Sequence, residues 1–231
     1  MKKKAICIIP ARSGSKRIPL KNIKKINGKP MISYVINNVK KSNCFKEIFV
    51  TTDSKRIKQI AEKNGAKVPF LRSKKLSDSK TPVQKVIVDA LKKLKIKYDY
   101  DLVCFIFPTS IFLNKNHIKN FFNSFKKSKS DFFIILKRYD HPIERALSLI
   151  KGKLIAKDNK KFFMNTQSFN ESYHDSGQIY FGKKNFFLNG KNIFNSKVKY
   201  HITKDSFIDI DTKEDFLKAK KLFNYFIKSK T

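Results

Sequence analysis

The sequence predicts an α/β fold of three layers, in which a mostly parallel sheet lies between two layers of helices. Short uncharged runs that suit buried strands alternate along the chain with segments whose apolar residues recur at helical spacing. The chain has 231 residues, enough for a complete core, and shows neither an internal repeat nor a low-complexity linker. We therefore predict one domain of Rossmann-like architecture over residues 1–231.

The predicted elements follow one another in the order that this fold requires. Uncharged residues place strands at 5–9, 48–52, 102–107 and 132–136. Helices of the first half bury Ile32, Val35, Ile36 and Val39, then Ile57, Ile60 and Ala61, then Val83, Val86, Ile87, Ala90, Leu91 and Leu94. Later helices bury Ile118, Phe121, Phe122 and Phe125, then Phe216, Ala219, Phe223 and Phe226. Because ligands of such sheets bind beyond the carboxyl ends of the strands, we expect a site at the loops 11–22, 53–54 and 108–110.

Several element ends carry signals of their own. Pro10 ends the first strand, and Gly65 ends the second helix. The run Thr81-Pro82-Val83-Gln84 predicts a helix start, with Thr81 as the N-cap and Pro82 at the first helical position. Residues 207–212 predict a last strand that leads into the final helix.

The regular alternation is lost between residues 138 and 201. This stretch is rich in polar groups and contains one further predicted strand at 178–181. Long irregular segments inside a compact domain are typically functional, and they cover a site or join two subunits. We therefore predict that 138–201 is an insertion of strands and loops.

The charge of the chain suggests partners, but much of it reflects composition. There are 52 Lys and Arg against 18 Asp and Glu, a formal net charge of +34. Such a balance is typical of proteins that bind nucleic acid, membrane surfaces or polyanionic substrates. Lys is abundant together with Asn, Ile and Phe, whose codons are all rich in A and T, and it is spread over nearly every predicted helix. A nucleic-acid-binding protein remains the alternative from another class, disfavoured because the aromatic residues follow core periodicity.

The cysteines and the apolar runs indicate a reduced, non-membrane environment. Cys7, Cys44 and Cys104 are far apart and odd in number, with neither disulfide nor metal-ligand spacing. No run approaches the roughly 20 apolar residues of a membrane span, and the apolar run near the start is too short for a signal peptide. We expect a cytoplasmic protein without a membrane partner.

The loop after the first strand has the chemistry of a phosphate site. Small residues allow backbone N–H groups to approach a phosphate, and here they are Ala11, Ser13, Gly14 and Ser15. Positive charge is supplied by Arg12, Lys16, Arg17 and Lys21. The loop matches neither the P-loop nor the dinucleotide fingerprint. The alternative is a solvated basic turn.

Two acidic residues near the end of the chain suggest a cation site. Asp209 and Asp211 are separated by one residue on the predicted strand, which places both carboxylates on one face. Carboxylate oxygens are the ligands that Mg²⁺ prefers, and a cation that neutralises phosphate charge suits nucleotidyl transfer. The alternative is that Asp211 caps the final helix in a capping box with Glu214.

These motifs together resemble the sugar-acid cytidylyltransferases of the acylneuraminate family. The resemblance rests on residues 9–23, 28–31, 51–53, 76–78, 108–110 and 208–212, and it spans nearly the whole chain. These enzymes make CMP-activated nine-carbon sugar acids from CTP on a nucleotide-diphospho-sugar transferase fold. The resemblance thus implies CTP and a nine-carbon acid as substrates, Mg²⁺ as cofactor and a homodimer paired through the insertion.

The resemblance also assigns roles on the nucleotide side. It implies that Arg12 and Lys21 hold the triphosphate together with the N–H groups of residues 11–15. Asn22 and Arg72 would contact ribose and cytosine, and Thr81 the edge of the base. With Asp209 and Asp211 as the Mg²⁺ ligands, the implied catalytic residues are Arg12, Lys21, Asp209 and Asp211.

On the sugar side the chain is similar to the branch of the family that acts on pseudaminic acid. Phe107 stands where the sialic acid enzymes carry a glutamine, and the runs 144–147 and 173–178 are similar to the pseudaminic acid branch. Sialic and legionaminic acid are the alternative substrates. The implied sugar-binding residues are Phe107, Glu144, Arg145, Gln167, His174, Gln178 and Tyr180. For His174 the alternative is a loop-orienting role through Asp175.

Overall fold

The computed structural model describes residues 4–95, 97–205 and 207–228, the last three as helix backbone only. The strands are β1 (Ala5–Pro10), β2 (Lys25–Ile26), β3 (Lys29–Pro30), β4 (Glu47–Thr51), β5 (Leu102–Ile106), β6 (Phe132–Arg138), β7 (Leu147–Ile150), β8 (Lys153–Ala156), β9 (Tyr173–Lys183) and β10 (Val198–Ile202). The helices are α1 (Met31–Lys41), α2 (Lys55–Lys63), α3 (Val83–Leu94), α4 (Lys115–Lys127), α5 (Asn159–Phe162), α6 (Lys184–Leu188) and α7 (Lys213–Lys228).

Six of the strands form one sheet in the order β10-β6-β9-β5-β1-β4. The pairs β1–β4, β1–β5 and β6–β10 are parallel, whereas β9 runs antiparallel to both of its neighbours, β5 and β6. The prediction of a mostly parallel sheet is confirmed. The local sequence pattern did not predict that β9, in the middle of the sheet, runs antiparallel to its neighbours.

Helices cover both faces of this sheet, because its central strands are apolar on both sides. In β1, Cys7 and Ile9 belong to the core that contains α1, α2, α4 and α7, and Ile6 and Ile8 belong to the core that contains α3 and α6. Phe216, Ala219 and Phe223 of α7 are buried as predicted, and the side chain of Phe226 lies outside the described residues. The three-layer prediction is therefore confirmed.

The predicted insertion 138–201 is only partly separate from the main sheet. Its strands β9 and β10 lie within that sheet, and β9 contains the predicted strand 178–181. The strands β7 and β8 pair with each other as a separate hairpin, and α5 follows them. The part of the chain outside the main sheet is thus shorter than the sequence suggested.

Two local predictions are wrong. Thr81 does not cap α3: the helix begins at Val83, and the Thr81 hydroxyl donates to the carbonyl of Lys75. Residues 207–212 form no strand in the described part of the chain. These residues do not pair with the sheet, because the N–H groups of Asp211 and Thr212 donate to the carboxylate of Asp215 instead.

That same contact defines the start of α7. The Thr212 hydroxyl accepts from the N–H of Asp215, and the Asp215 carboxylate accepts from the N–H of Thr212, which is a reciprocal capping box. The box is therefore Thr212 with Asp215, and the alternative role of Asp211 and Glu214 as a cap is excluded. The carboxylate of Asp211 is left to the site.

Across the described residues, no helix has both the length and the apolar character needed to span a bilayer. Cys7 and Cys104 are fully buried on neighbouring strands, and all three cysteines are free thiols.

Candidate functional site

A cavity of about 440 Å³ opens at the carboxyl ends of β1 and β5, where the fold predicts a ligand. The predicted site residues among its walls are Arg12, Ser15, Lys21, Asn22, Arg72, Thr81, Phe107 and Asp211. The other walls are Pro10, Lys16, Arg17, Leu76, Asp78, Ser79, Val83, Val86, Pro108 and Thr109. The cavity thus brings together predicted residues of the nucleotide side from four separate stretches of sequence, whereas four others are not among its walls: Ala11, Ser13, Gly14 and Asp209.

The loop after β1 is fastened to the neighbouring strand β4. The N–H of Ala11 donates to the carbonyl of Thr51 over 2.9 Å. The carboxylate of Asp53 accepts from both the N–H and the hydroxyl of Ser13, over 2.8 and 2.6 Å. The side chain of Asn22, which is buried, donates to the carbonyl of Arg12 over 2.8 Å. These contacts hold the loop in one conformation and thereby orient its cationic side chains.

Arg12 reaches across the cavity to the segment that precedes α3. Its guanidinium donates to the carbonyl of Asp78 over 2.5 Å. The carboxylate of Asp78 in turn accepts from the N–H groups of Lys80 and Thr81, and these bonds hold the pKa of Asp78 below its usual value. This bond therefore links the loop after β1 to the segment before α3, and both segments line the cavity.

Arg72 is a buried cation in the wall of the cavity. Its backbone N–H donates to the carbonyl of Thr52, and its Nε donates to the hydroxyl of Ser77 over 3.0 Å. Burial lowers the pKa of Arg72, and the charge of Asp53 partly offsets that effect. Within the described part of the chain, one terminal nitrogen of Arg72 is buried without a hydrogen-bond partner. A buried donor of this kind favours an acceptor supplied by a ligand.

The carboxylate of Asp211 lies among cations of the first loop. It accepts from Nζ of Lys21 over 3.0 Å and from Arg17 over 2.8 Å, and Lys21 also donates to the carbonyl of Ile210 over 2.7 Å. Partial burial on its own would raise the pKa of Asp211, but the hydrogen bonds and charges of Lys21 and Arg17 prevail and lower it. The two ends of the chain, separated by about 190 residues, therefore meet at this pair.

Asp209 lies beside Asp211 but has a different environment. Partial desolvation of its carboxylate raises the pKa of Asp209, although the residue as a whole remains exposed, and the negative charge of Asp211 raises it further. Its Oδ2 lies against Gly177, which has a φ of +66°, and a Cβ at that glycine would come within 3.0 Å of this oxygen. A glycine is thus needed there both for the backbone and for the room it leaves to Asp209.

Asp209 and Asp211 are a suitable donor set for a hard cation. Among the described residues, no three side chains of His, Cys, Asp and Glu come together as a complete metal cage. Mg²⁺ does not require one, because it usually takes one or two carboxylates together with water and substrate phosphates. The negative charge of Asp211 contributes to the raised pKa of Asp209, which shows that the two carboxylates lie close enough to interact.

The predicted sugar-side residues are only partly at the cavity. Phe107 lines it, and its ring lies edge-on to Tyr180, with centroids 6.0 Å apart. Gln178 and Tyr180 are buried behind it, and the carbonyl of Gln178 accepts from the N–H of Phe107. The hydroxyl of Tyr180 donates to Asp175 over 2.6 Å, and burial raises the pKa of Tyr180 well above its usual value.

The remaining sugar-side predictions lie away from the walls of this cavity. Glu144 is half-buried, Arg145 donates to the carbonyl of Met164, and Gln167 is exposed. The ring of His174 contacts the carbonyl of Asp175 at 2.9 Å, which favours the loop-orienting alternative for this histidine. The cavity of a single chain is therefore lined by most of the predicted nucleotide-side residues but by only one of the predicted sugar-side residues, Phe107.

Asp53 lies in one of the three loops where the sequence predicts a site, and Asp78 lies in a stretch that carries the family resemblance, but neither residue was assigned a role of its own. Their partners, however, are Ser13 and Arg12, which are 40 and 66 residues away. Contacts over that distance along the chain have no local sequence signal.

Comparison with known proteins gives consistent results. Residues 6–231 match the family described as Cytidylyltransferase. A pseudaminic acid cytidylyltransferase of Campylobacter jejuni subsp. jejuni serotype O:23/36 (strain 81-176) is 37% identical over 223 residues, which are 95% of this chain and 96% of that protein. A CMP-N,N'-diacetyllegionaminic acid synthase of Legionella pneumophila subsp. pneumophila (strain Philadelphia 1) is 31% identical over 225 residues, 94% of this chain and 95% of that protein.

A solved structure shows the same fold. It is a CMP:2-keto-3-deoxy-manno-octonic acid synthetase complexed with CTP, with a TM-score of 0.73, covering 96% of this chain and 99% of that chain. The sequence identity is 16%, so this likeness is evidence of the fold alone. It confirms the predicted Rossmann-like nucleotidyltransferase architecture.

Proposed function

The chain belongs to the cytidylyltransferase family, and on that basis we propose that it transfers CMP from CTP to pseudaminic acid, releasing pyrophosphate. The observation that carries the proposal is the cavity at the sheet edge, where Arg12, Lys21 and Arg72 converge with Asp211. A triphosphate needs this density of positive charge, and the acid beside it suits a bound cation.

The reaction is an in-line substitution at the α-phosphorus of CTP. The anomeric hydroxyl of the sugar forms the new O–P bond and loses its proton, while the bond to the β-phosphate breaks and pyrophosphate leaves. No covalent enzyme intermediate is required, so catalysis consists of positioning and charge stabilisation. Arg12 and Lys21 supply fixed positive charge to the triphosphate, Arg12 as a fork and Lys21 as a point charge.

Asp209 and Asp211 are the residues that would hold Mg²⁺. When bound, the ion neutralises charge on the phosphates and on the leaving group. For this chain, the lowered pKa of Asp211 keeps that carboxylate ionised, and Lys21 and Arg17 balance its charge. If Asp211 binds the metal ion, Lys21 and Arg17 would be able to contact the triphosphate instead.

The nucleoside would occupy the deeper part of the cavity, near Asn22, Arg72 and Thr81. The unpartnered terminal nitrogen of Arg72 is a buried donor that an oxygen of the cytosine or ribose would satisfy. Asn22 is held by its amide group to the carbonyl of Arg12, so it also fixes the loop on which the phosphates rest. Thr81 is among the walls of the same cavity.

The choice of sugar rests on Phe107. An apolar ring at that position offers no hydrogen bond to a sugar hydroxyl, which favours a deoxygenated, diacetamido acid over a more hydroxylated one. The ring of Phe107 packs edge-on against the rings of Phe105 and Tyr180, which supports its position in the wall of the cavity. CMP-legionaminic or CMP-sialic acid synthesis is the second candidate.

We also propose that the protein works as a homodimer, in the cytoplasm where free thiols persist. The β7–β8 hairpin exposes a row of large apolar side chains, with Leu149 72% and Leu154 70% exposed. A patch of this kind on a surface is typical of an interface. A second copy of the chain is the proposed occupant, since the same segment carries the sugar-side residues Glu144 and Arg145.

The test is pyrophosphate release from CTP and Mg²⁺, with pseudaminic, legionaminic, N-acetylneuraminic and 3-deoxy-manno-octulosonic acid offered separately. Release with pseudaminic acid alone supports both the reaction and the sugar. Release with another acid keeps the reaction and contradicts the role given to Phe107. No release with any acid, from folded protein, contradicts the proposed function, and salt-sensitive binding of DNA would then favour the nucleic-acid alternative.

A further inference from the structure

Asp53 is an acidic side chain placed directly behind a loop that must bind an anion. It follows β4 and lies within hydrogen-bonding distance of one residue of that loop, Ser13. One carboxylate oxygen accepts from the N–H of Ser13 over 2.8 Å and the other accepts from its hydroxyl over 2.6 Å. A negative charge in this place weakens phosphate binding unless it serves the loop in another way.

The two bonds decide which N–H groups of the loop remain for a phosphate. The N–H of Ala11 is used by Thr51, that of Ser13 by Asp53, and that of Ser15 by the carbonyl of Ser13. Among the residues that the structure describes, the N–H groups of Arg12 and Gly14 donate to no other protein group. The loop therefore alternates between N–H groups that anchor it and N–H groups that are free to bind.

The same carboxylate also acts on the buried cation of the site. The charge of Asp53 counters the desolvation of Arg72, whose backbone is held by Thr52, the residue before Asp53. Asp53 thus lies between the loop that faces the phosphates and the arginine that faces the nucleoside. Asp53 therefore acts on both parts of the cavity, on the loop through its two bonds to Ser13 and on Arg72 through its charge.

We propose that Asp53 is a positioning residue for the nucleotide: by holding Ser13 it presents the N–H groups of Arg12 and Gly14 to the triphosphate. This inference rests on the proposed function, since it names a residue that prepares the same site. Asp53 is not among the residues that line the cavity. Its effect is therefore expected on the binding of CTP and little on the turnover of bound substrates.

Four variants separate hydrogen bonding from charge. Asp53→Ala removes both bonds, and Ser13→Ala removes the one made by the hydroxyl. Asp53→Asn can keep both, because its carbonyl accepts from the N–H of Ser13 while its amide donates to the Ser13 oxygen, and it removes the charge. Ser54→Ala is the matched control, since Ser54 caps α2 through the N–H of Ile57 and makes no contact with the loop.

The first readout is the dissociation constant and KM for CTP. Asp53→Ala is expected to raise both by about 10-fold with kcat nearly unchanged, as for the loss of a charge-assisted hydrogen bond. Asp53→Asn is expected to stay within about three-fold of the wild type. In a double-mutant cycle, Ser13→Ala is expected to add little to Asp53→Ala, whereas Ser54→Ala leaves the constants for CTP unchanged.

The second readout is hydrogen exchange at the Ser13 amide, which requires no activity. Protection in the wild type and in Asp53→Asn, and its loss in Asp53→Ala, supports the contact. Normal CTP constants in Asp53→Ala, or an unprotected Ser13 amide in the wild type, overturns the proposal. If the wild type neither binds nor turns over CTP while Ser13 is protected, the proposed function has failed and the anchoring of the loop remains.

Discussion

The proposed nucleotide side and the proposed sugar side of this protein are built in opposite ways. The nucleotide side consists of short loops at the ends of buried strands, and each loop is tied to its neighbour by hydrogen bonds such as those from Ser13 to Asp53. The segment that carries Arg145 and Gln167 lies outside the main sheet and is largely exposed. A single chain therefore preorganises the proposed nucleotide side, whereas the proposed sugar side depends on an exposed segment and, in the proposed dimer, on a second copy.

The largest effect is expected where the two ends of the chain meet. Asp211→Asn is expected to lower kcat/KM by at least about 100-fold, because it removes a proposed metal ligand and the partner of Lys21. Asp209→Asn is expected to lower kcat/KM similarly. Chelation of Mg²⁺ is expected to stop pyrophosphate release by the wild type. The measurement is pyrophosphate release, with Asp205→Asn as control. Near-normal rates in both variants would remove the metal assignment.

A smaller but still large effect is expected within the phosphate-binding loop. Lys21→Met removes a cation that is only 19% exposed and is expected to raise the KM for CTP by more than about 10-fold. Lys24→Met is the matched control. The ammonium group of Lys24 lies over the ring of Phe216, and its loss is expected to leave the KM for CTP unchanged. Equal effects of the two changes on steady-state kinetics would mean that only the overall charge matters.

A change at Phe107 is expected to alter sugar binding without altering CTP binding. Phe107→Gln is expected to change the KM for the sugar by about 10-fold, with CTP binding unchanged. It is also expected to raise kcat/KM for sialic acid relative to kcat/KM for pseudaminic acid. Competition between the two acids in one reaction gives the ratio directly. An unaltered ratio would show that Phe107 does not determine specificity. Phe112→Leu, a buried change away from the cavity, controls for lost packing.

The smallest effect on the nucleotide side is expected from the hairpin. Leu149→Asp is expected to convert a dimer into a monomer, because it places charge in the apolar patch, while the dissociation constant for CTP stays within about two-fold. Light scattering measures the mass and calorimetry the binding. Lys151→Asp, at the turn of the same hairpin, is the control for a charge change alone. A wild type that is monomeric contradicts the proposed dimer.

The comparison also explains what could be predicted from sequence. The strands and helices, the loop at Arg12 and the acidic pair carry their signals in adjacent residues, so local patterns suffice. The insertion of β9 between β5 and β6 depends on which strands pair, and the Asp53–Ser13 contact spans 40 residues. These features follow from tertiary packing, which no local pattern encodes.

The two wrong predictions have the same origin. Thr81 has the sequence of an N-cap, but the backbone of Lys80 and Thr81 is held instead by Asp78, and α3 begins two residues after Thr81. Residues 207–212 alternate like a strand, yet the Asp215 side chain takes the N–H groups that a sheet would need. In both cases a nearby carboxylate competes with regular structure for backbone donors.

The most direct test of the central claim follows the oxygen that joins sugar and phosphorus. Pseudaminic acid labelled with ¹⁸O at the anomeric hydroxyl is incubated with CTP, Mg²⁺ and the wild-type protein, and the products are analysed by mass spectrometry. Cytidylyl transfer predicts that the label is found in a CMP-sugar and not in pyrophosphate, and that Asp211→Asn makes little of either product. Labelled pyrophosphate, or a phosphorylated sugar without cytidine, would contradict the account.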